Sequence, residues 1–206
     1  MIQKLKKVLY TVDESHPDAV VVIQSLDDSS VLAASIALYR AACVIARVKR
    51  EQGQVRRIVP AGVLRSAKSL VDLAKPEIKM ATTDDWRIKM LRELEEAEKE
   101  AEAFVRVSDL RPLKELHTKS LLIRDPYCKL IIGKKGIECA CELGKLAIPA
   151  QPTKPGRIGL NIRYLIDAVS NLIARKVVSV EVVRRQGTDI LVLSSEHEHH
   201  YIVEMR

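Results

Sequence analysis

Two short clusters in this chain contain residue types that can bind a metal ion. Glu196-His197-Glu198-His199-His200 would place His197 and His199 on the same side of an extended strand. Because this cluster lies between two apolar stretches, an exposed hairpin tip is the preferred interpretation. Cys139 and Cys141 are separated by one residue and lack the two-residue spacing and second pair typical of zinc sites. We therefore predict buried structural cysteines and no metal site.

A third cluster, Gly133-Lys134-Lys135-Gly136, follows two isoleucines and resembles the GxxG loop of KH domains. In such a loop, glycines allow backbone amides to approach RNA phosphates. A KH loop joins two helices, whereas Ile137, Cys139 and Cys141 alternate with Glu138, Ala140 and Glu142 at strand spacing. We therefore predict a basic hairpin turn, with a KH-like RNA-binding module as an alternative.

The sequence contains no recognisable catalytic set. It has no Walker-type phosphate loop, no nucleophile elbow and no helix with paired metal ligands. Single acids such as Asp125 and Asp167 are explained as turn and helix-start residues. The chain is therefore predicted to be non-enzymatic and to need no cofactor.

The composition favours a globular, basic protein. The hydrophobic fraction of 47% and the charged fraction of 30% are globular values, and 206 residues suffice for one large or two small domains. The net charge of +7 favours an acidic partner such as nucleic acid or an anionic surface. With one Phe, one Trp and five Tyr, an aromatic platform for stacking bases is not expected.

The cellular compartment is predicted from three features: the N-terminal residues, the most apolar stretch and the cysteines. Met1–Tyr10 has no continuous apolar run of the kind a signal peptide needs. The most apolar stretch, Val31–Val48, is interrupted by Arg40, which argues against a membrane span. The four cysteines do not form a disulfide framework, so a cytoplasmic location is predicted.

Apolar periodicity predicts helices and strands in the first half of the chain. Val31–Val48 suits either one helix or two strands, and we choose two strands with a bend near Leu38-Tyr39-Arg40. Glu93–Glu102 is a charge-dense helix face, which we expect to be solvated or packed against a partner helix. The other predicted elements are a helix over Ile2–Glu14, strands Ala19–Leu26 and Arg57–Val59, a helix from Pro60 through Val71 that Pro76 closes, and a helix from Thr83 to about Val105.

The second half is predicted to be mainly strands. A connection that contains proline and glycine, Pro149–Gly156, is followed by a helix over Arg163–Ile173. The predicted strands are Ser120–Ile123, Lys129–Ile132, Ile137–Leu143, Arg157–Leu160, Val177–Val183, Ile190–Ser194 and Tyr201–Met205. Both halves thus repeat a strand, a helix and further strands.

The order of elements over Arg157–Arg206 resembles the end of the bacterial DNA polymerase III sliding clamp family. That family ends with a strand, an Asn, a helix that begins Tyr-Leu-Leu-Asp, three strands and a terminal Met-Pro-Met-Arg. Here Glu204 replaces the proline. The matching segments are Ile158-Gly159-Leu160-Asn161, Tyr164-Leu165-Ile166-Asp167, Val178–Val182 and Tyr201–Arg206.

The first half carries further points of resemblance. Leu5–Asp13 is similar to a clamp half-domain's opening helix, Lys-Val-Leu-x-x-Val-Asp, and Ile58-Val59-Pro60 to the start of a following half-domain. Leu32–Ala42 resembles a strand followed by an Asp-Gly-(His/Tyr)-Arg-Leu turn, with Ile36-Ala37 in place of Asp-Gly. Residues 75–118 have no counterpart, and the chain is far shorter than a three-domain clamp.

The resemblance implies an α+β, DNA-clamp-like fold, with antiparallel sheets, amphipathic helices on one face and an extra helical segment. The implied regions are a clamp-like 1–82, a helical insertion or linker at 83–118 and a clamp-like 119–206. In that family the helices line a ring and face DNA phosphates. The implied DNA-binding residues are Lys4, Lys7, Arg65, Lys68 and Arg163.

The resemblance also implies partners and an assembly. Clamp partners dock a short peptide beside the C-terminal strand, which implies a groove near Tyr39, Arg40, Val203 and Met205. The leading hypothesis is a sliding-clamp-like homo-oligomer that binds duplex DNA non-specifically and tethers a DNA polymerase or another DNA enzyme, as a processivity factor in DNA replication. The alternatives are a clamp-fold adaptor without a ring and the KH-like module.

Overall fold

The computed structural model describes most of the chain, in two compact units, Met1–Glu93 and Leu94–Arg206. The boundary between these units lies within the segment 83–118. No helix among the described residues is both long and apolar enough to cross a membrane. The described residues are 1–12, 19–27, 29–37, 39–47, 56–75, 78, 89–90, 92–93, 96, 103–107, 110, 112–113, 124–142, 144–172 and 178–205.

The first unit is an antiparallel sheet with short helices. Its strands pair in the order β4-β1-β2-β3. The strands are β1 (Val20–Asp27), β2 (Ser30–Ile36), β3 (Arg40–Arg47) and β4 (Arg56–Pro60). The helices are α1 (Ile2–Leu5), which continues as a 3-10 helix over Lys6–Thr11, then α2 (Ala61–Ser66) and a 3-10 turn at Val71–Leu73.

One face of this sheet forms the core of the first unit. Ile23, Ala33 and Val44 lie opposite one another on adjacent strands and are fully buried. The helical segment over residues 2–11 contacts β2 and β3 and buries Leu5 and Val8. Small side chains such as Ala33 leave room for the helix to lie close to the sheet. Ile2 and Thr11 of the same segment are also buried, whereas Gln3 and Lys4 are exposed.

The two-strand prediction for Val31–Val48 is confirmed, with the bend where it was expected. The helix predicted from Pro60 through Val71 is wrong in length, because α2 ends at Ser66. The Asp72 carboxylate accepts the backbone N–H groups of Lys68 and Ser69, which fixes a turn instead of a further helical turn. Val71, predicted to lie on the apolar face, is 67% exposed.

The second unit contains two antiparallel sheets, with strand orders β13-β12-β11-β5-β9 and β10-β6-β7-β8. Its helix, α3 (Ile162–Asn171), contacts β10 and β13. The strands are β5 (Ala103–Val107), β6 (Tyr127–Gly133), β7 (Gly136–Cys141), β8 (Gly144–Pro149), β9 (Gln151–Lys154), β10 (Gly156–Asn161), β11 (Val178–Arg185), β12 (Thr188–Ser195) and β13 (Glu198–Val203).

The predicted strand, helix and three strands after residue 156 are confirmed. The Asn161 side chain caps α3 by accepting the backbone N–H of Arg163 at 2.9 Å. Leu165, Ile166 and Val169 are buried on one side of the helix, as its amphipathic pattern requires.

The helix predicted from Thr83 to about Val105 is wrong at its end, because residues 103–107 form β5. This strand pairs with β11, where Phe104 lies opposite Glu181. Pairing with β11 provides backbone hydrogen bonds to β5. Apolar residues at helical spacing cannot reveal such a distant strand partner. Residues 89, 90, 92, 93 and 96 are helical, and Glu93 and Glu96 are exposed, as expected for a solvated face.

The connection predicted over Pro149–Gly156 is also wrong, because β8 ends at Pro149 and β9 spans Gln151–Lys154. Prolines lowered the strand signal there, yet β9 lies at the end of its sheet, where a missing N–H is tolerated. The strand predicted over Ser120–Ile123 lies outside the described residues.

The exposed tip predicted for Glu196–His200 is wrong for its second half. Glu198 and His200 are fully buried in β13, with His200 Nε2 3.1 Å from Glu198 Oε2. On the neighbouring strand, Leu193 lies opposite His200. The two polar side chains satisfy each other inside an apolar surface, so only Glu196 and His197 form the turn. Within the described ranges no three metal-binding side chains form a cluster.

The hairpin predicted at residues 133–136 is confirmed. Gly133 pairs with Gly136, and Lys134-Lys135 form the turn between β6 and β7. Since Ile137 begins strand pairing and not a helix, the KH-like alternative is wrong. Gly136 has a φ of 125°, and an added Cβ would lie 2.1 Å from the Ile148 carbonyl oxygen. Its glycine is therefore explained by backbone packing alone.

We predict that Gly136→Ala destabilises the protein by about 2–4 kcal/mol, because the alanine needs an unfavourable φ and collides with β8. Gly133→Ala is the matched control: an added Cβ there meets nothing within 4 Å. The control should change the free energy of unfolding by less than about 1 kcal/mol. Urea denaturation measures both values, and equal effects would contradict the explanation.

Candidate functional site

The first unit brings two cationic helical segments into contact. The segment over residues 2–11 buries Ile2, Leu5 and Val8, so its lysines face outward. It contacts α2, and Lys6 Nζ donates a hydrogen bond of 2.6 Å to the Arg65 carbonyl oxygen. We call the cations of these two segments and of the turn that follows α2 the basic helix pair. They are Lys4, Lys6, Lys7, Arg65 and Lys68.

The members of the basic helix pair differ in exposure. Lys4, Arg65 and Lys68 are exposed, whereas Lys6 and Lys7 are half-buried. Lys6 was not among the predicted site residues, although the run Lys4, Lys6, Lys7 was visible in the sequence. Its role differs from that of its neighbours, because its ammonium group joins the two helical segments.

A capped turn holds Lys68 in place after α2. Asp72 Oδ2 accepts hydrogen bonds from the backbone N–H groups of Lys68 at 2.8 Å and Ser69 at 2.9 Å, and from the Ser69 hydroxyl at 3.3 Å. The bond from Lys68, followed by that from Ser69, lowers the pKa of Asp72 below its ordinary value. The carboxylate therefore stays charged and the turn stays closed at neutral pH.

Arg163 belongs to the second unit. It lies in the first turn of α3 and its side chain is exposed. Its backbone N–H is held by Asn161, so the capping bond fixes where the side chain begins. The structure thus places Lys4, Lys7 and Arg65 on two touching helical segments and Lys68 in the turn that follows α2. Arg163 lies on the other unit.

The four predicted partner-binding residues are divided between the units. Tyr39 is 51% exposed in the turn between β2 and β3. Arg40 begins β3 and lies with its guanidinium carbon 5.7 Å from the centre of the Tyr10 ring. Val203 ends β13, and the Met205 backbone N–H donates to the Gly159 carbonyl oxygen at 2.9 Å. Both of these last side chains are half-buried.

Glu204, which stands where the resemblance led us to expect proline, extends the pairing of β12 with β13. Its backbone N–H donates to the Asp189 carbonyl oxygen at 2.9 Å, and its carboxylate accepts the Asp189 N–H at 3.1 Å. Proline has no N–H and no carboxylate, so neither bond would form. The departure therefore has a structural use.

Comparison with known proteins identifies the fold. No family model matches the sequence, and no curated protein matches it. Solved structures similar to the whole chain include a putative DNA polymerase III beta subunit from Eubacterium rectale, with a TM-score of 0.72 and 11% identity. The DNA polymerase sliding clamp from Bacillus subtilis gives 0.67 and 16%, and the DnaN sliding clamp from Pseudomonas aeruginosa bound to griselimycin gives 0.67 and 10%.

These similarities confirm the predicted clamp-like fold. Each covers 100% of this chain, which itself spans only 63% to 64% of the similar chains. Among the described residues, the antiparallel sheets with few helices agree with this fold.

We predict that Asp72→Asn lowers the protection of the Lys68 and Ser69 amides against hydrogen exchange several-fold, because a neutral acceptor binds them less strongly. A folded-state pKa below the ordinary value means that the bonds persist as pH falls to the usual Asp range. They are lost only when pH falls through the lowered pKa. Exchange measured against pH tests this, with amides of β2 as the control, and loss of protection already near an ordinary Asp pKa would refute it.

Proposed function

We propose that this chain binds duplex DNA non-specifically through the basic helix pair, as a non-enzymatic, sliding-clamp-like protein. The observation that supports this most is the hydrogen bond from Lys6 to the Arg65 carbonyl oxygen. It holds two cationic helical segments together on a fold that is otherwise known from DNA polymerase III beta subunits. A single amphipathic helix with a few lysines would not distinguish DNA binding from mere solvation.

The chemistry of the basic helix pair suits phosphate and not base recognition. Its members are Lys and Arg side chains, which bind DNA phosphates as cations. Contacts to the DNA backbone do not distinguish one base sequence from another. In the two helical segments, Gln3 is the one exposed amide side chain that could contact a base edge. Binding should therefore be independent of sequence and weakened by salt.

We predict that Lys4→Gln with Lys68→Gln reduces the slope of log affinity against log salt by about two, since each lost phosphate contact removes about 0.9. Both side chains are exposed, so the exchange should not alter the core. Fluorescence anisotropy with a labelled duplex of unrelated sequences measures the slope.

The matched control is Lys134→Gln with Lys135→Gln, which removes the same charge from an exposed hairpin turn. This control should leave the slope nearly unchanged. If the two double variants flatten the slope equally, the net charge of the chain and not the basic helix pair attracts DNA. Adding Arg163→Gln to the first variant tests whether α3 contributes to the same contact.

We further propose that Tyr39 and Arg40 of the first unit bind a peptide of a DNA polymerase or another DNA enzyme. Val203 and Met205 of the second unit stay predicted partner-binding residues. The exposed ring of Tyr39 supports this, because a large aromatic side chain at a turn is available to a partner. Tyr39→Ala should weaken the binding of a clamp-binding polymerase peptide by about tenfold or more, as for an aromatic hot spot. It should leave the DNA salt slope alone, whereas a parallel loss of both activities would count against a separate peptide site.

We also propose that the chain acts as a homo-oligomer. Clamp rings are assembled from six similar domains, so a chain with two clamp-like regions would need three copies. Among the described strands, β8 has a pairing neighbour on one side only, and edge strands tend to be covered by another chain. Light scattering after size exclusion should give the mass of a trimer. A monomer at all concentrations would contradict the homo-oligomer and would favour the alternative hypothesis, a clamp-fold adaptor that forms no ring.

A further inference from the structure

Three of the four cysteines lie on one face of the sheet β10-β6-β7-β8. Cys128 pairs with Cys141 across β6 and β7, and Cys139 precedes Cys141 by two residues, so its side chain points to the same face. Cys128 and Cys139 are fully buried, whereas Cys141 is partly exposed. The sequence showed the close spacing of Cys139 and Cys141 but not the presence of Cys128 beside them.

The register of the hairpin determines how close Cys128 and Cys141 are. Gly133 and Gly136 close a two-residue turn, and such a closing pair exchanges backbone hydrogen bonds. Hydrogen-bonded and non-hydrogen-bonded pairs then alternate, and Cys128–Cys141 is the fifth pair after the closing one. It is therefore a non-hydrogen-bonded pair, in which the Cα atoms are about 4.5 Å apart. A disulfide spans about 4.4–6.8 Å between Cα atoms.

The next strand leaves Cys141 open to small reagents. Its partner on β8 is Gly144, which has no side chain to cover the thiol. A Cβ added to Gly144 would meet nothing within 4 Å, so the space beside it is open. On the other side of Cys128 lies the buried Leu160 of β10. A dissolved oxidant therefore reaches Cys141 first and Cys128 only through it.

The thiol of Cys128 interacts with the thiols of Cys139 and Cys141. Its hydrogen bond with Cys139, followed by burial, raises the pKa of Cys128 above the ordinary value. The same hydrogen bond lowers the pKa of Cys139. The raised pKa makes Cys128 a weak first nucleophile, so the first attack falls to the more exposed Cys141.

We propose that Cys128 and Cys141 form a reversible disulfide by exchange with a low-molecular-weight disulfide of the glutathione type. The Cys141 thiolate attacks one sulfur of the reagent, a mixed disulfide forms, and one thiolate leaves. Cys128 loses its proton and attacks Cys141 Sγ, which releases the second thiolate. The two leaving thiolates take up the two protons, so two protein thiols are oxidised and one reagent disulfide is reduced to two thiols.

The register gives this bond a consequence for the hairpin. It would join β6 to β7 at the end opposite the Lys134-Lys135 turn, so that the hairpin is closed at both ends. Because Cys141 is partly exposed, a thiol in solution can attack the bond and reverse the exchange. The site thus has the properties of a thiol pair that responds to redox conditions.

The experiment uses the full chain, fully reduced and then treated with oxidised glutathione. The intact mass should fall by two hydrogens, and peptide mapping should join Cys128 to Cys141. Cys141→Ser should slow formation of any internal disulfide by about tenfold or more, because the accessible thiol is gone. Cys43→Ser is the matched control in the first unit and should leave the rate unchanged, and Cys139→Ser should still give the Cys128–Cys141 bond.

Mapping of the unaltered protein decides the matter whether or not a variant folds. A stable glutathione adduct on Cys141 without a second bond would overturn the proposal. A bond from Cys128 to Cys139, or one that involves Cys43, would overturn it as well. These outcomes are independent of DNA binding, so the proposed function can stand or fall separately.

Discussion

In the first unit, the side chains of Ile23, Ala33 and Val44 lie side by side across three paired strands, and water is excluded from all three. This buried sheet face is the constraint on which the arrangement of the cations depends. The face can be covered only by apolar side chains, which Leu5 and Val8 supply from one side of the helical segment. Lys4 of the same segment is then exposed, whereas Lys6 and Lys7, between the two apolar residues, are half-buried.

The same argument explains why the basic helix pair is a defined surface and not a scatter of charges. The Lys6 ammonium group donates a hydrogen bond to the Arg65 carbonyl oxygen, and the Asp72 carboxylate accepts two backbone hydrogen bonds in the turn after α2. The first bond satisfies a carbonyl group that the end of α2 leaves unpaired, and the other two satisfy backbone N–H groups of the turn. Local hydrogen bonding therefore fixes the backbone positions from which the cationic side chains extend.

In the second unit, strand register has a comparable role. Pairing of β12 with β13 places His200 opposite Leu193 on a buried face, where Glu198 is its partner. Pairing of β6 with β7 places Cys128 opposite Cys141 at the end of the hairpin. The cross-strand pairs His200–Leu193 and Cys128–Cys141 could not be recognised from spacing along the chain, because strand register decides which residues lie opposite each other.

Apolar periodicity, proline and glycine act over a few residues, so the sequence by itself determined the strands and the helix after residue 156, the bend at Tyr39 and the hairpin at Gly133–Gly136. The clamp-like fold class followed from the resemblance to a known family. Only the tertiary structure decided that Phe104 lies in a strand, that α2 stops at Ser66, and that His200 is buried. Phe104 pairs with β11, which lies far away in the chain, and the burial of His200 depends on sheet register. The end of α2 depends on a local side-chain cap from Asp72, which apolar periodicity does not reveal. Contacts that form only after folding leave no periodic signal in the sequence.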